Sequence, residues 1–96
     1  MDMEFEWDGL KASQNAKKHG ITFEEARTAF FDEFARVYFD PDHAEEEDRF
    51  LLLGMSHSLN TVVVCHCFRE GESKIRIISA RKADRDESAE YWDMRK

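Results

Sequence analysis

The sequence lacks a long apolar run. No hydrophobic stretch approaches the roughly 20 residues that a membrane-spanning helix needs. The N-terminal segment Met1–Glu4 is acidic and lacks the basic and apolar regions of a secretory signal peptide. We therefore expect a cytoplasmic protein that does not act at a membrane.

Cysteine and proline are also scarce. Cys65 and Cys67 are the only two cysteines. They stand two apart in a predicted strand, which is a poor geometry for a disulfide. They also lack the second ligand pair of a zinc site, so the sequence predicts buried thiols, no metal site and no cofactor. The single proline lies in the acidic run 40–48, which we interpret as a solvated surface loop. The run lacks EF-hand spacing, so we do not interpret it as a metal site.

The chain is short, well charged and acidic overall. Ninety-six residues suit one domain, residues 1–96, with one core. The net charge of −7 argues against nucleic-acid binding. However, residues 1–48 carry 5 Lys/Arg and 14 Asp/Glu, whereas residues 49–82 carry 6 and 2. The distribution therefore allows a locally basic sheet surface on an acidic body.

Local signals predict three helices. Asp8 suits the N-cap of a first helix that runs to about Lys18, and Gly20 suits its left-handed C-terminal position. Thr22 opens a T-x-x-E capping box for a second helix. Asp84 caps a last helix. The second helix has one apolar face, formed by Phe23, Ala26 and Phe30. The last helix places Ala89 and Trp92 on one face.

Strand-forming runs make up much of the remaining sequence. They cover residues 5–7, 34–39, 49–55, 61–69 and 74–81. Short polar turns join the last three runs, so we predict that residues 49–81 form an antiparallel meander.

The last of these runs, with Lys82, combines cationic and apolar residues most densely. In an unbroken strand, Ile75, Ile77, Ser79 and Arg81 share one face, and Arg76 lies on the other. An arginine on a strand is a fixed, planar cation that suits a phosphate, or it pairs with a nearby carboxylate. Both interpretations are open. A β-bulge would bring Arg76 and Arg81 to the same face.

Short motifs follow one another along most of the chain. Near the N-terminus these are Phe5-Glu6-Trp7-Asp8, Lys11, Asn15, Lys18-His19-Gly20-Ile21 and Phe23-Glu24-Glu25-Ala26. Later ones are Phe30, Asp32, Glu47 with Arg49, Gly54, the block from Ile75 to Arg81, Ala83, Glu87 and Tyr91. In order and spacing, this set resembles the BrnT-type toxins from residue 5 to about residue 92.

The resemblance implies a fold and a function. The implied fold is RelE-like α+β: two N-terminal helices and one C-terminal helix on a twisted, mainly antiparallel sheet of about four strands. The implied function is that of a ribonuclease toxin of a type II toxin–antitoxin pair, which inhibits translation by cleaving RNA. Its partner would be a BrnA-like antitoxin, through which alone it would reach operator DNA. Ribosome association of the RNA substrate is left open.

Two other functions remain open at this stage. The chain could be a catalytically inactive partner that binds the antitoxin and acts as a co-repressor. It could also be a small acidic scaffold without a toxin role.

Metal-independent RNA cleavage needs a base, an acid and cations near the phosphate. Catalytic candidates are Arg76, Arg81, Arg69, His19 and Glu47. RNA-binding candidates are Lys11, Lys74, Lys82, Trp7 and Tyr91. Three of these residues have a plain structural alternative, because His19 can cap a helix and both aromatics can pack in the core. We interpret His66 as a core histidine with satisfied ring nitrogens.

Overall fold

The computed structural model describes residues 3–41 and 47–96, which form an α+β fold. The acidic run 40–48 therefore lies largely outside the described residues, as does the start of the N-terminal segment. The strands are β1 (Glu4–Glu6), β2 (Arg36–Asp40), β3 (Arg49–Met55), β4 (Thr61–Arg69) and β5 (Lys74–Lys82). The helices are α1 (Gly9–His19), α2 (Phe23–Thr28), a 3-10 turn (Ala29–Phe31) and α3 (Arg85–Met94).

The sheet has the strand order β1-β5-β4-β3-β2. β3, β4 and β5 pair antiparallel, which confirms the predicted meander. The sheet has five described strands rather than about four, because β1 pairs in parallel with the start of β5. β2 begins at Arg36, later than predicted, because Asp32 accepts hydrogen bonds from the main-chain N–H groups of Phe34 and Ala35 and closes a turn.

Side-chain caps form at two of the three predicted helix starts. Thr22 accepts a hydrogen bond from the Glu25 N–H at 3.0 Å. Asp84 and Glu87 form both bonds of a capping box at the start of α3. α1 ends at Gly20, whose φ of +73° is the left-handed conformation that glycine adopts at little cost.

Helices lie on both faces of the sheet. α1 and α2 share one face with a core cluster that includes Phe23, Ala26, Val62, Val64 and Ile77. A second cluster on the opposite face joins Leu53 and Val63 to Tyr91 of α3. Each fully buried large apolar side chain contributes roughly 1.5–3 kcal/mol. These two clusters therefore fix where the helices sit relative to the sheet.

α3 packs on the sheet through a residue outside the predicted apolar face. Tyr91 is its buried residue, whereas Ala89 and Trp92 are exposed. The apolar spacing of Ala89 and Trp92 therefore does not mark the packed side of α3, because the phenol of Tyr91 finds a hydrogen-bond partner in the partly buried Asp32.

Two further predictions concern the cysteines and the membrane. Cys65 and Cys67 are buried free thiols, and burial raises the pKa of both. Within the described part of the chain, no helix is long and apolar enough to cross a membrane.

Candidate active site

A bulge in β5 decides how the candidate site is arranged. Cys65 of β4 pairs with Ser79, but the next residue, His66, pairs with Ile77. Ile78 is thus an extra residue in β5, and the alternation of side chains reverses there. The predicted sharing of faces along an unbroken strand is therefore wrong beyond Ile77.

The bulge places four cations on one face. Arg69 pairs with Lys74, Cys67 with Arg76, and Val63 with Arg81. Because Val63, Cys67 and Arg69 alternate regularly along β4, their partners project from the same side of the sheet. We call this side, opposite α1 and α2, the cationic face; its basic residues on β4 and β5 are Arg69, Lys74, Arg76 and Arg81.

Asn15 holds the free edge of β5 just beyond the bulge. Its Nδ2 donates to the main-chain oxygens of Ala80, at 2.8 Å, and Ile21, at 3.0 Å. Its Oδ1 accepts from the Ala80 N–H at 3.1 Å. Asn15 is buried, and its amide makes the two main-chain hydrogen bonds to Ala80 that a neighbouring strand would otherwise make. Asn15 is among the sequence motifs of the family resemblance, but the sequence predicts no role for it.

Each basic group of the cationic face has a carboxylate partner. Arg76 donates to Glu6 at 2.7 Å, and Arg81 forms a two-pronged pair with Glu87 at 2.7 and 2.9 Å. The other pairs are Arg69 with Glu47 at 3.4 Å and Lys74 with Glu70 at 2.9 Å, Glu6 at 3.7 Å and Glu4 at 3.9 Å. The two interpretations of the β5 arginines, binding a phosphate and pairing with a carboxylate, therefore concern the same surface.

The ion pairs shift the pKa values of their members. The hydrogen bond from Arg76 is the main cause that lowers the pKa of Glu6. The hydrogen bonds from Arg81 lower the pKa of Glu87, and Glu70 raises the pKa of Lys74. All of these groups are partly exposed, so water and salt screen the pairs and they contribute little to stability. A competing anion could therefore replace the carboxylates.

A second group of basic residues lies beside the bulge. Lys11, Lys18 and His19 line a cavity of about 230 Å³ together with Ile78 and Ser79. All three project from α1, whose last turn also carries Lys17. The cavity thus adjoins the part of β5 that lies between Arg76 and Arg81.

The remaining candidates lie elsewhere. Lys82 is exposed but pairs with Val62, which puts it on the face that carries α1 and α2. Trp7 is half-buried and packs edge-to-face on Phe23 with ring centroids 5.9 Å apart. Tyr91 is fully buried, so its ring offers no face on which a base could stack.

Tyr91 instead belongs to a partly buried hydrogen-bond network around Asp32. The Tyr91 hydroxyl donates to Asp32 at 2.5 Å, and the Met55 N–H donates to the same oxygen at 2.8 Å. Burial and Asp32 raise the pKa of Tyr91 to about 12. Burial alone would raise the pKa of Asp32, but these hydrogen bonds outweigh it and lower that pKa.

His66 is a core histidine, as predicted, but it is not fully satisfied. Its Nδ1 lies 3.0 Å from the Val64 carbonyl oxygen, so this nitrogen carries the proton. Nε2 is buried and has no hydrogen-bond partner among the described residues. The rings of Phe30, Phe50 and Phe68 lie around the His66 ring, with their centroids 4.8, 6.1 and 5.6 Å from its centroid. Burial accordingly lowers the pKa of His66.

Comparisons with known proteins show the family to which the chain belongs. The profile of a family described as "Ribonuclease toxin, BrnT, of type II toxin-antitoxin system" matches residues 7–87. A crystal structure of the Brucella abortus ribonuclease toxin BrnT is similar at 26% identity and a TM-score of 0.65. The match covers 88% of this chain and 100% of that one. A search of curated proteins gave no match. Because the family profile spans most of the chain, the protein belongs to the BrnT family of ribonuclease toxins of type II toxin–antitoxin systems.

Proposed function

We propose that this chain is a metal-independent endoribonuclease toxin that inhibits translation by cleaving RNA in the cytoplasm. In this proposal a BrnA-like antitoxin neutralises it, and the chain reaches operator DNA only within that complex. The observation that carries the proposal is the bulge at Ile78, because it brings Arg76 and Arg81 to one face of the sheet.

The two arginines would stabilise the phosphate during cleavage. The 2′-oxygen attacks phosphorus, the bond to the 5′-oxygen breaks, and negative charge grows on the non-bridging oxygens. A planar guanidinium on a paired strand offers fixed donors to that charge. Removing one such contact costs about 2.7–4 kcal/mol of transition-state stabilisation, or on the order of 10²–10³-fold in rate.

The cavity beside the bulge supplies groups for proton transfer. We assign His19, which lines this cavity, to the base that takes the 2′-hydroxyl proton or to the acid that protonates the 5′-oxygen, because an imidazole has one nitrogen that accepts and one that donates a proton. Lys11 would hold the phosphate that follows along the RNA chain. Glu47, which pairs with Arg69, is the alternative proton acceptor. Lys74 extends the phosphate path along the cationic face.

RNA must displace carboxylates to reach the arginines. The side chains of Arg76 and Arg81 are 33% and 41% exposed, so each keeps donors within reach of solvent. Breaking a partly exposed ion pair costs little. A phosphate that replaces Glu6 or Glu87 would restore the lost charge pairing.

The same ion pairs favour one alternative function. If the carboxylates stay in place, the cationic face is neutral and cannot hold RNA. The chain would then be an inactive partner that binds the antitoxin and acts as a co-repressor.

Expression of matched variants separates the two functions. Arg76→Ala and Arg81→Ala should each remove the growth arrest caused by the wild-type chain and its cleavage of RNA in EDTA. Arg76→Lys and Arg81→Lys should also lose most activity at an unchanged melting temperature, because lysine keeps the charge but lacks the planar fork. Arg85→Ala, an exposed arginine at the start of α3, is the control.

Each remaining outcome points to a different conclusion. No growth arrest by the wild type, combined with tight binding to the antitoxin, would favour the co-repressor. Wild-type toxicity in both alanine variants at equal expression would remove these arginines from the site.

A further inference from the structure

An aromatic row crosses the face of the sheet that carries α1 and α2. Phe39 of β2 pairs with Phe50 of β3, and the Phe50 ring also contacts Phe68 of β4. The ring centroids are 5.8 Å and 5.4 Å apart. We call Phe39, Phe50 and Phe68 the aromatic row; it lies opposite the cationic face.

The aromatic row remains accessible in the described structure. Phe39 is 51% exposed, Phe68 is 38% exposed, and Val37, two residues before Phe39, is 51% exposed. α1 and α2 pack instead over the part of this face that contains Val64 and Ala80. Contiguous exposed apolar side chains on adjacent strands are typical of a surface that binds another protein.

Carboxylates border the aromatic row. Glu47, Asp48 and Glu72 line a groove of about 460 Å³ together with Phe50 and Phe68. Such a surface repels RNA and attracts a segment that presents both apolar and basic side chains.

We propose that the aromatic row and its acidic border are the docking surface for the antitoxin, an inference that rests on the proposed toxin function. The occupant is a segment of the antitoxin in which apolar side chains pack on Phe39, Phe50 and Phe68 while Lys or Arg side chains pair with Asp48 and Glu72. Docking here places the antitoxin on the opposite side of the sheet from Arg76 and Arg81. Apart from Glu47, which lines the groove and also pairs with Arg69, binding of the antitoxin and cleavage of RNA therefore depend on different residues.

The test uses the full chain and the purified protein encoded by the neighbouring reading frame. Phe39→Ser/Phe68→Ser should weaken binding of that protein in titration calorimetry by at least about tenfold, the scale seen when interface anchors are truncated. Asp48→Lys/Glu72→Lys should weaken it comparably and reduce its dependence on salt. Leu59→Ser and Asp93→Lys are the controls, since both residues are exposed, Leu59 lies in the turn at the other end of β3 and β4, and Asp93 lies on α3.

Growth assays distinguish failure of this inference from failure of the toxin function. Both double variants should still arrest growth, but co-expression of the neighbouring protein should no longer relieve the arrest. Unchanged affinity in both double variants would overturn the docking surface while leaving the toxin function intact. Loss of RNA binding with antitoxin affinity unchanged would assign the surface to RNA and equally overturn it. No growth arrest by the wild type would count against the toxin function, and calorimetry would then decide the docking surface alone.

Discussion

Asn15 on α1 pairs with both main-chain polar groups of Ala80 on β5. Its side-chain amide donates to the carbonyl oxygen at 2.8 Å and accepts from the N–H at 3.1 Å. The contact spans 65 positions in the sequence and follows the bulge at Ile78 directly. One buried side chain thereby attaches the first helix to the strand that carries Arg76 and Arg81.

Asn15→Leu should strongly destabilise the fold. The change leaves buried main-chain groups of Ala80 and Ile21 without partners, which costs about 1–3 kcal/mol for each unsatisfied group. We expect a loss of about 3 kcal/mol in urea unfolding. Lys17→Leu, an exposed position on the same helix, should change stability little. A loss below about 1 kcal/mol in Asn15→Leu would show that water satisfies these groups.

Glu6→Gln should strengthen RNA binding. The change removes the carboxylate that pairs with Arg76 at 2.7 Å and also lies 3.7 Å from Lys74, so Arg76 becomes available to phosphate and Lys74 keeps only Glu70 and Glu4 as partners. We expect a several-fold lower Kd for a 2′-O-methyl RNA in fluorescence anisotropy, with little change in stability because the pair is solvent-screened. Glu24→Gln, an exposed change on α2, is the control. An unchanged Kd would mean that Glu6 does not compete with RNA.

Asp32→Asn should lower stability at neutral pH more than at acidic pH. The pKa of Asp32 is lowered in the folded state, so its stabilising effect is present above the unfolded pKa of about 3.9 and is lost as pH falls through the lower folded value. The variant should therefore be less stable than the wild type at pH 7, and the difference should shrink at pH 3. Urea unfolding at both pH values measures this, with Glu33→Gln as the control. A difference that is independent of pH would rule out linkage through this carboxyl.

His66→Leu should remove a different pH dependence. Burial lowers the pKa of His66, so the unfolded chain binds a proton more readily below about pH 6.5 and the wild type loses stability on acidification. For one such group the slope approaches about 1.4 kcal/mol per pH unit. Between pH 7 and pH 5 the leucine variant should show a flatter profile than the wild type in urea unfolding. His57→Gln, at an exposed position, should keep the wild-type slope. If His66→Leu keeps the same slope as His57→Gln, His66 is excluded as the source of the pH dependence.

Local sequence patterns predicted the helix starts well. The capping residues Thr22 and Asp84 form the expected hydrogen bonds, and Gly20 has the left-handed conformation at the end of α1. These features need only residues within about one helical turn of each other. The meander was predictable for a similar reason, since short turns leave adjacent strands few other ways to pair.

The packing of α3 was not predictable from spacing alone. Ala89 and Trp92 fit an apolar face, yet Tyr91 is the residue that enters the core. Its burial depends on a hydroxyl partner, Asp32, that lies 59 positions away. The partner of Arg76, Glu6, lies 70 positions away and gives no local signal either.

The sequence by itself determined the elements, the meander and the residue types of the candidate site, because those depend on neighbouring residues. The tertiary structure decided which of the candidates share a surface. The bulge at Ile78 reverses the side-chain alternation, which turns Arg81 toward the face of Arg76, and α1 brings His19 beside the same strand. A register shift of one residue depends on contacts across the sheet and with Asn15, and the sequence of β5 alone does not specify it.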